Sequence, residues 1–425
     1  MNFSKINLLI TGGCGFIGSN YINHIFDKVN LVVNLDAMYY CASKLNIDKN
    51  IRDDNNYFFY NENLNNLKLM KEILTKHNIT HIVHFAAQSH VDNSFNDSLQ
   101  YTYDNVQGTH TLLEAIRLTN LNIILLHFST DEVYGETGSD EKTEESLLCP
   151  TNPYAASKAA AEMYVYSYIH SFGLKAIISR GNNIYGYNQY PEKLIPKFIK
   201  LLREGKKCTI HGQGETVRNF INVKDVCNAV DIILTKGCFG QVYNIGGDHS
   251  NEFSVMEVAS KIIKLIHNDN SINTCINNYI EYVEDRPFND KRYLISNTKL
   301  VELGWEQKIL FDDGLKELIV NNMNIELPTT NLYKYLETIN KNNITEFDIN
   351  TVKLNLNTPV KVKIIKQYLQ QININNYIES EYDINLINLN DIKYLNKVGF
   401  FNLNLVNDNY TLHIIKFLLS NKNDI

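Results

Sequence analysis

Between an apolar run at residues 6–11 and an amphipathic stretch at 16–27 lies Thr11-Gly12-Gly13-Cys14-Gly15-Phe16-Ile17-Gly18. A strand that passes through three spaced glycines directly into a helix restricts the fold more than any other feature of the chain. Gly12 permits a tight turn, Gly15 lets backbone N–H groups approach a pyrophosphate at the helix N-terminus, and Gly18 lets helix and strand pack closely. The run at 6–11 leads into glycines without a cleavage-site pattern, so it reads as a first strand and not as a signal peptide.

The same rhythm continues. Apolar runs at 30–36, 57–60, 81–87, 123–130 and 175–180 alternate with amphipathic stretches such as 64–77 and 105–118. Strands apolar on both faces, separated by helices, form a parallel sheet covered on both sides. The expected class is α/β: a Rossmann-like doubly wound parallel sheet, a smaller α/β substrate domain, and a C-terminal extension whose fold the sequence leaves open. After residue 186 the pattern loosens, with helices expected at 191–205 and 224–236, a strand at 241–246, a polar loop at 286–290, and short helices near 300 and 315–321. The expected division is 1–181 plus about 219–246 for the dinucleotide, 182–218 plus about 247–325 for the substrate, and 326–425 for the extension. Beyond Leu327, Asn is about one residue in five and Gly399 is the sole glycine, yet Ile, Leu, Tyr and Phe stay frequent. Low hydrophobicity therefore gives no ground for calling this segment disordered.

Charge and cysteine usage narrow the function. A net charge of −7 argues against a protein that coats nucleic acid or an acidic membrane. The seven cysteines are odd in number and form no CxxC pair, so neither a disulfide framework nor a metal site is expected. No run approaches the ~20 apolar residues of a membrane span, and a cytoplasmic location is expected.

Asp36 closes the second apolar run, where a carboxylate can accept both ribose hydroxyls of an adenosine and would repel a 2′-phosphate, favouring NAD over NADP. Tyr154 and Lys158 stand at i and i+4 on one helix face. An ammonium there, together with a positive nicotinamide, is expected to lower the Tyr154 phenol so that it takes a proton from a sugar hydroxyl. Thr130, Asp131 and Glu132 follow the fifth strand, at the carboxyl end of the sheet where such folds bind ligands. Two adjacent carboxyls whose environments differ can serve as one acid and one base.

TGGCGFIGS, Asp36, HFAAQSHVDNS, STDEVYG, YAASK, PEKLIPKFI and RPFNDKRY, in this order, closely resemble the nucleotide-sugar 4,6-dehydratases of the extended short-chain dehydrogenase/reductase superfamily, over roughly residues 5–322. The resemblance implies a redox-neutral dehydration of an NDP-glucose with tightly held NAD. It implies that Tyr154 deprotonates the 4-hydroxyl as C4 gives up hydride, Glu132 removes the C5 proton, Asp131 protonates the departing 6-hydroxyl, and hydride returns to C6. It places Gly12, Gly15, Phe16, Ile17, Gly18, Asp36, Ala86, Ala87, Asn105, Tyr154 and Lys158 on the cofactor. Ser89, Thr130 and Asn183 would line the sugar, while Lys193, Leu194, Arg218 and Arg286 would meet the nucleotide and its diphosphate. Asn289 and Asn244 are secondary candidates.

The chain departs from the bacterial pattern at Gln88, where Glu is usual, and at Asn63-Leu64, where an Asp-Ile pair is usual; the latter weakens one expected adenine contact. The stretches around 180–186 and 286–290 look more like the first domain of plant rhamnose synthases, which tilts the substrate toward UDP-glucose over dTDP-glucose. A homodimer through the helices after Asn105 and bearing Tyr154 is implied, with Ala155, Ala156, Ala159 and Ala160 as its small face. The alternative readings are an NAD-dependent nucleotide-sugar epimerase or decarboxylase, and a non-catalytic nucleotide-sugar-binding protein with the C-terminal segment as its interaction module.

Overall fold

The computed structural model describes residues 3–138, 140–267, 276–284 and 290–324. Within them the apolar runs pair side by side, because strands whose side chains are buried on both faces must be covered by helices on both. The strands are β1 (Asn7–Thr11), β2 (Leu31–Asp36), β3 (Tyr57–Asn61), β4 (His81–His84), β5 (Ile124–Thr130), β6 (Lys175–Gly181), β7 (Asn183–Tyr185), β8 (Cys208–His211), β9 (Val217–Asn222), β10 (Val242–Ile245), β11 (Glu252–Ser254) and β12 (Ile280–Val283). Seven of them form one parallel sheet in the order β3-β2-β1-β4-β5-β6-β10. The chain reverses its direction of travel between β1 and β4, the crevice where doubly wound sheets take their ligands.

The helices Phe16–Ile25 and Val223–Lys236 cover one face, burying Tyr21, Ile22, Val226, Val230 and Ile233 against β1 and its neighbours. Helices Leu67–Lys76, Gly108–Thr119 and Pro153–Phe172 cover the other with Ile73, Leu112, Leu113, Ile116 and Val165. Each fully buried Leu or Ile contributes roughly 1.5–3 kcal/mol. The stretch before Gly108–Thr119 is a π turn, Thr102–Gln107, which turns Asp104 and Asn105 inward.

A three-stranded sheet, β11-β9-β7, and a parallel pair, β12-β8, accompany a third core of Ile195, Phe198, Phe220, Ile262 and Phe311. β9 sits in this smaller sheet, so residues 219–222, expected with the dinucleotide-binding part, pair with β7 and β11. From Val223 onward the chain returns to the large sheet. The extension at 326–425 lies outside the described residues.

Candidate active site

The register of the large sheet builds the first half of the site. Thr11 pairs with His84, so the chain leaves β1 and β4 side by side. Gly12 turns with φ +72°, and a Cβ on it would lie 2.7 Å from the Ala86 backbone. A Cβ on Gly18 would lie 2.3 Å from the Gly12 carbonyl oxygen, so the helix is seated as closely as its backbone allows. Gly15 caps Phe16–Ile25 without a side-chain hydrogen bond, leaving helix N-terminal amides to meet an anion. Asp36 accepts the Cys14 N–H (2.9 Å) and the Met38 N–H (2.8 Å), which fixes its carboxylate at the cleft; burial pushes its pKa up. Free amides for a diphosphate and a fixed carboxylate for a ribose diol fit a dinucleotide without a 2′-phosphate. Substituting Gly12 with Ala should cost about 1–3 kcal/mol in backbone strain alone, with the clash added, and should abolish dinucleotide binding; calorimetry of folding and of ligand binding checks both.

Gly12, Gly15, Phe16, Ile17, Gly18, Asp36, Ala86 and Ala87 all line one cavity of about 360 Å³. Asn105 is buried behind its wall: it accepts the Gln88 N–H (2.7 Å) and donates to the Gln88 carbonyl (3.0 Å) and the Ser157 hydroxyl (2.8 Å). It therefore ties the loop after β4 to the helix that bears Tyr154. The two departures noted in the sequence meet at one group. Asp104 accepts from Gln88 (3.0 Å), Asn63 (3.1 Å), Tyr39 (2.9 Å) and Gln100 (2.8 Å), so the two amides that stand where the bacterial pattern has carboxylates share one carboxylate at this end of the cavity.

The second half of the site comes from β5 and the helix Pro153–Phe172. Thr130, Asp131, Glu132, Tyr154 and Lys158 line the same cavity. Thr130 ends β5, donates to Asp131 Oδ1 (3.2 Å) and accepts the Glu132 N–H (3.3 Å), which turns both carboxyls toward the cleft. Lys158 is buried and donates to the Phe128 carbonyl (2.7 Å), and burial lowers its pKa to about 8. The expectation that the ammonium lowers the phenol is not met by the chain's own groups. Burial first, and then the Glu132 carboxylate, push Tyr154 up, while only the Thr130 hydroxyl works the other way. A positively charged nicotinamide in the cavity would act in the lowering direction.

The two carboxyls are both raised by burial but differ in their partners. Burial, reinforced by Glu132, raises Asp131 to about 8, and its Oδ2 is buried without a hydrogen-bond partner. Glu132 is also raised by burial, but it accepts the Asn152 amide N–H (2.9 Å) and feels the positive charges of Arg218 and Lys193, all of which favour its carboxylate form. Ser89, Asn183, Lys193 and Leu194 line the cavity too, with Lys193 Nζ donating to the Ser89 carbonyl (2.9 Å).

Arg218 is placed differently from expectation. It lies off the cavity wall, donating to the carbonyls of Asp290 (2.9 Å) and Val217 (2.8 Å) with its guanidinium over the Tyr293 ring, and its charge acts on Asp131 and Glu132. Asn244 is fully buried and accepts the Tyr134 hydroxyl (2.8 Å), a packing role. Arg286 and Asn289 lie outside the described residues. Sequence reasoning passed over Asn152, Asn182, Asp104 and Glu192; only Asn152, directly before Pro153 at a helix start, carried a readable signal, that of an N-cap.

The family model described as GDP-mannose 4,6 dehydratase matches residues 9–318. The chain belongs to this family. As a member of the GDP-mannose 4,6 dehydratase family it is 44% identical over 317 residues to a trifunctional UDP-glucose 4,6-dehydratase/UDP-4-keto-6-deoxy-D-glucose 3,5-epimerase/UDP-4-keto-L-rhamnose-reductase of Arabidopsis thaliana. That match covers 73% of this chain and 46% of the plant protein, so the chain spans about half the length of this relative. A dTDP-D-glucose 4,6-dehydratase of Dictyostelium discoideum is 41% identical over 362 residues, with 75% of this chain and 82% of that protein covered. Among solved structures, the dTDP-glucose 4,6-dehydratase of Bacillus anthracis in complex with NAD aligns with a TM-score of 0.68 at 38% identity, covering 76% of this chain and 98% of that one.

Proposed function

We propose that the chain is an NAD-dependent NDP-glucose 4,6-dehydratase that makes an NDP-4-keto-6-deoxy-glucose toward rhamnose or another deoxysugar, with UDP-glucose favoured and dTDP-glucose next. The observation that carries the reading is the pair Asp131 and Glu132, two adjacent carboxyls, the first buried with an unpartnered Oδ2 and the second held by the Asn152 amide, in one cavity with Tyr154 and Lys158. An epimerase needs only the tyrosine side of this site. The names of the plant and Dictyostelium relatives and the NAD complex of the Bacillus protein support the same reaction.

Bound NAD would supply the hydride acceptor and donor, held by Gly12, Gly15, Gly18 and Asp36 with Phe16, Ile17, Ala86 and Ala87 around it. Tyr154 takes the 4-hydroxyl proton, with Thr130 beside it to hold that hydroxyl. The resulting 4-ketone acidifies C5–H, and Glu132 removes that proton. Asp131, which burial keeps protonated to about pH 8, gives its proton to the departing 6-hydroxyl so that water leaves. Ser89 and Asn183 meet the sugar, while Lys193, Leu194 and Arg286 serve the nucleotide end, Arg218 acts through its charge on Asp131 and Glu132, and Asn289 is a secondary substrate contact. Residues 1–181 with the return from Val223 to about 246 form the NAD part, and 182–222 with about 247–325 the sugar-nucleotide part.

Uracil and thymine differ by a methyl worth roughly 1–3 kcal/mol in a pocket. Incubating the protein with UDP-glucose and dTDP-glucose separately and identifying products tests the assignment. A 4-keto-6-deoxy sugar from either supports it, and a galactose epimer or no product from either contradicts it.

A cytoplasmic homodimer completes the reading. Among the described residues no helix is long and apolar enough to cross a membrane. Leu118, on the helix after Asn105, and Met163 and Tyr164, on the helix bearing Tyr154, are exposed. The expected small face is only half available: Ala155 and Ala159 are buried within the protomer, Ala159 in a cluster with Val133, Tyr134 and Ile295, while Ala156 is exposed and Ala160 half-buried. Light scattering should give twice the chain mass; a monomer mass contradicts the dimer.

A further inference from the structure

Asn152 precedes the helix that bears Tyr154 and lies outside the cavity lining, yet both ends of its side chain are engaged. Its backbone is extended, with φ −137° and ψ 162°, as an N-cap requires. Its Oδ1 accepts the Ala155 N–H at 2.8 Å, while its Nδ2 donates to Glu132 Oε2 at 2.9 Å. The residue is 7% exposed, so neither bond is readily exchanged for water. The chain on its N-terminal side is anchored as well: Thr151 donates to Asp290 Oδ2 (2.7 Å), and Asp290 also accepts the Tyr293 hydroxyl.

A primary amide is the side chain that joins these two groups. Asp and Ser cap helices as well as Asn does, but Asp has no proton to donate to a carboxylate, and Ser lacks the reach to span from the cap to Glu132. Capping alone leaves the choice among the three open, so the donor end is what singles out Asn. We propose that Asn152 is a positioning residue for Glu132, fastening that carboxylate to the first turn of the helix that carries Tyr154, so that the group removing the C5 proton and the group taking the 4-hydroxyl proton keep one geometry over the sugar. The inference rests on the dehydratase reading. Glu132 is also faced by Asp131, Asp290, Arg218, Lys193, Tyr154 and Tyr293, and of the groups lowering it toward its charged form Asn152 contributes most.

Three variants separate positioning from capping. Asn152→Asp and Asn152→Ser keep the cap and lose the donor, whereas Asn152→Ala loses both. The full chain of each, loaded with NAD, is given the nucleotide-glucose that the wild type converts. Asn152→Ser should keep the wild-type Tm, while Asn152→Asp should lose some of it to repulsion from Glu132; both should keep KM within roughly twofold and lose about 10- to 100-fold in kcat. Because C4 oxidation is spared, both should accumulate the near-ultraviolet absorbance of reduced nicotinamide on mixing with substrate. The acid limb of the kcat profile should move to higher pH in Asn152→Asp, whose new carboxylate repels the Glu132 charge, and less in Asn152→Ser. Wild-type kcat with no reduced nicotinamide in these two variants, and loss of activity only in Asn152→Ala together with a lowered Tm, would make Asn152 a cap and overturn the inference. A wild type that yields no 4-keto-6-deoxy product from either nucleotide-glucose overturns the dehydratase reading, and the inference with it.

Discussion

Replacing Tyr154 with Phe should lower turnover by roughly 10²- to 10⁴-fold, the usual worth of a positioned proton acceptor. The ring stays, so packing against Tyr101, whose centroid is 6.4 Å away, is retained and the fold should be unaffected. What disappears is the oxygen proposed to take the 4-hydroxyl proton. No other group in the cavity replaces it: Thr130 is already donating to Asp131, and Lys158 donates to the Phe128 carbonyl. Because burial and Glu132 push the phenol up in the chain by itself, the Tyr154 phenol should ionise at lower pH when the positively charged nicotinamide form is bound than in the chain alone. Stopped-flow absorbance should show no reduced nicotinamide in Tyr154→Phe. Turnover within a few-fold of wild type would remove Tyr154 from the reaction.

Glu132→Gln should produce the opposite fingerprint. Oxidation at C4 needs Tyr154 and not Glu132, so reduced nicotinamide should form and persist, while the C5 proton, with no carboxylate to accept it, stays in place. Product should fall by roughly 10²- to 10⁴-fold. Gln is close to isosteric and keeps an oxygen for the Asn152 amide to donate to, so the loss is of the base and not of the geometry. The neighbouring substitution, Asp131→Asn, removes the acid and carries a pH signature. Asp131 in the folded chain holds its proton to about pH 8, whereas in an unfolded chain it releases it in the ordinary carboxylate range. The folded state therefore binds more protons across that window, so stability is full below the ordinary range and is lost as pH rises through 8. Asp131→Asn should flatten the decline of Tm between about pH 4 and 8, and should also remove an alkaline limb near 8 from kcat/KM. A Tm that declines with pH as in the wild type would show that Asp131 is not held protonated.

Much of this site was legible in the sequence because it is built at the ends of strands that are buried on both faces. β1, β4, β5 and β6 read as continuous apolar runs, and the residues following them, Gly12, Ala86, Asp131 and Asn183, inherit their positions from the sheet. Glycines that must be glycine announce themselves, as Gly12 and Gly18 do through the backbone they touch. The smaller sheets were hard to read for the converse reason. β7, β8, β11 and β12 are three or four residues long and partly exposed, too short to show a period. Contacts made across the chain were invisible for a different cause: the alanine face lost Ala155 and Ala159 to the core, Arg218 turned to backbone carbonyls at Asp290, and Gln88 and Asn63 met at Asp104. The weight of burial on Tyr154 was equally out of reach, since a motif shows which charges are near in sequence but not how deeply the phenol is buried.

The central claim is that one cavity removes hydride at C4, expels water across C5 and C6, and returns the same hydride to C6. Its most direct test is to supply nucleotide-glucose carrying deuterium at C4 and locate the label in the product by NMR and mass spectrometry. The account predicts a 4-keto-6-deoxy sugar with the deuterium on C6. Deuterium found at C4 of an epimerised hexose, or unconverted substrate with its label in place, would contradict it.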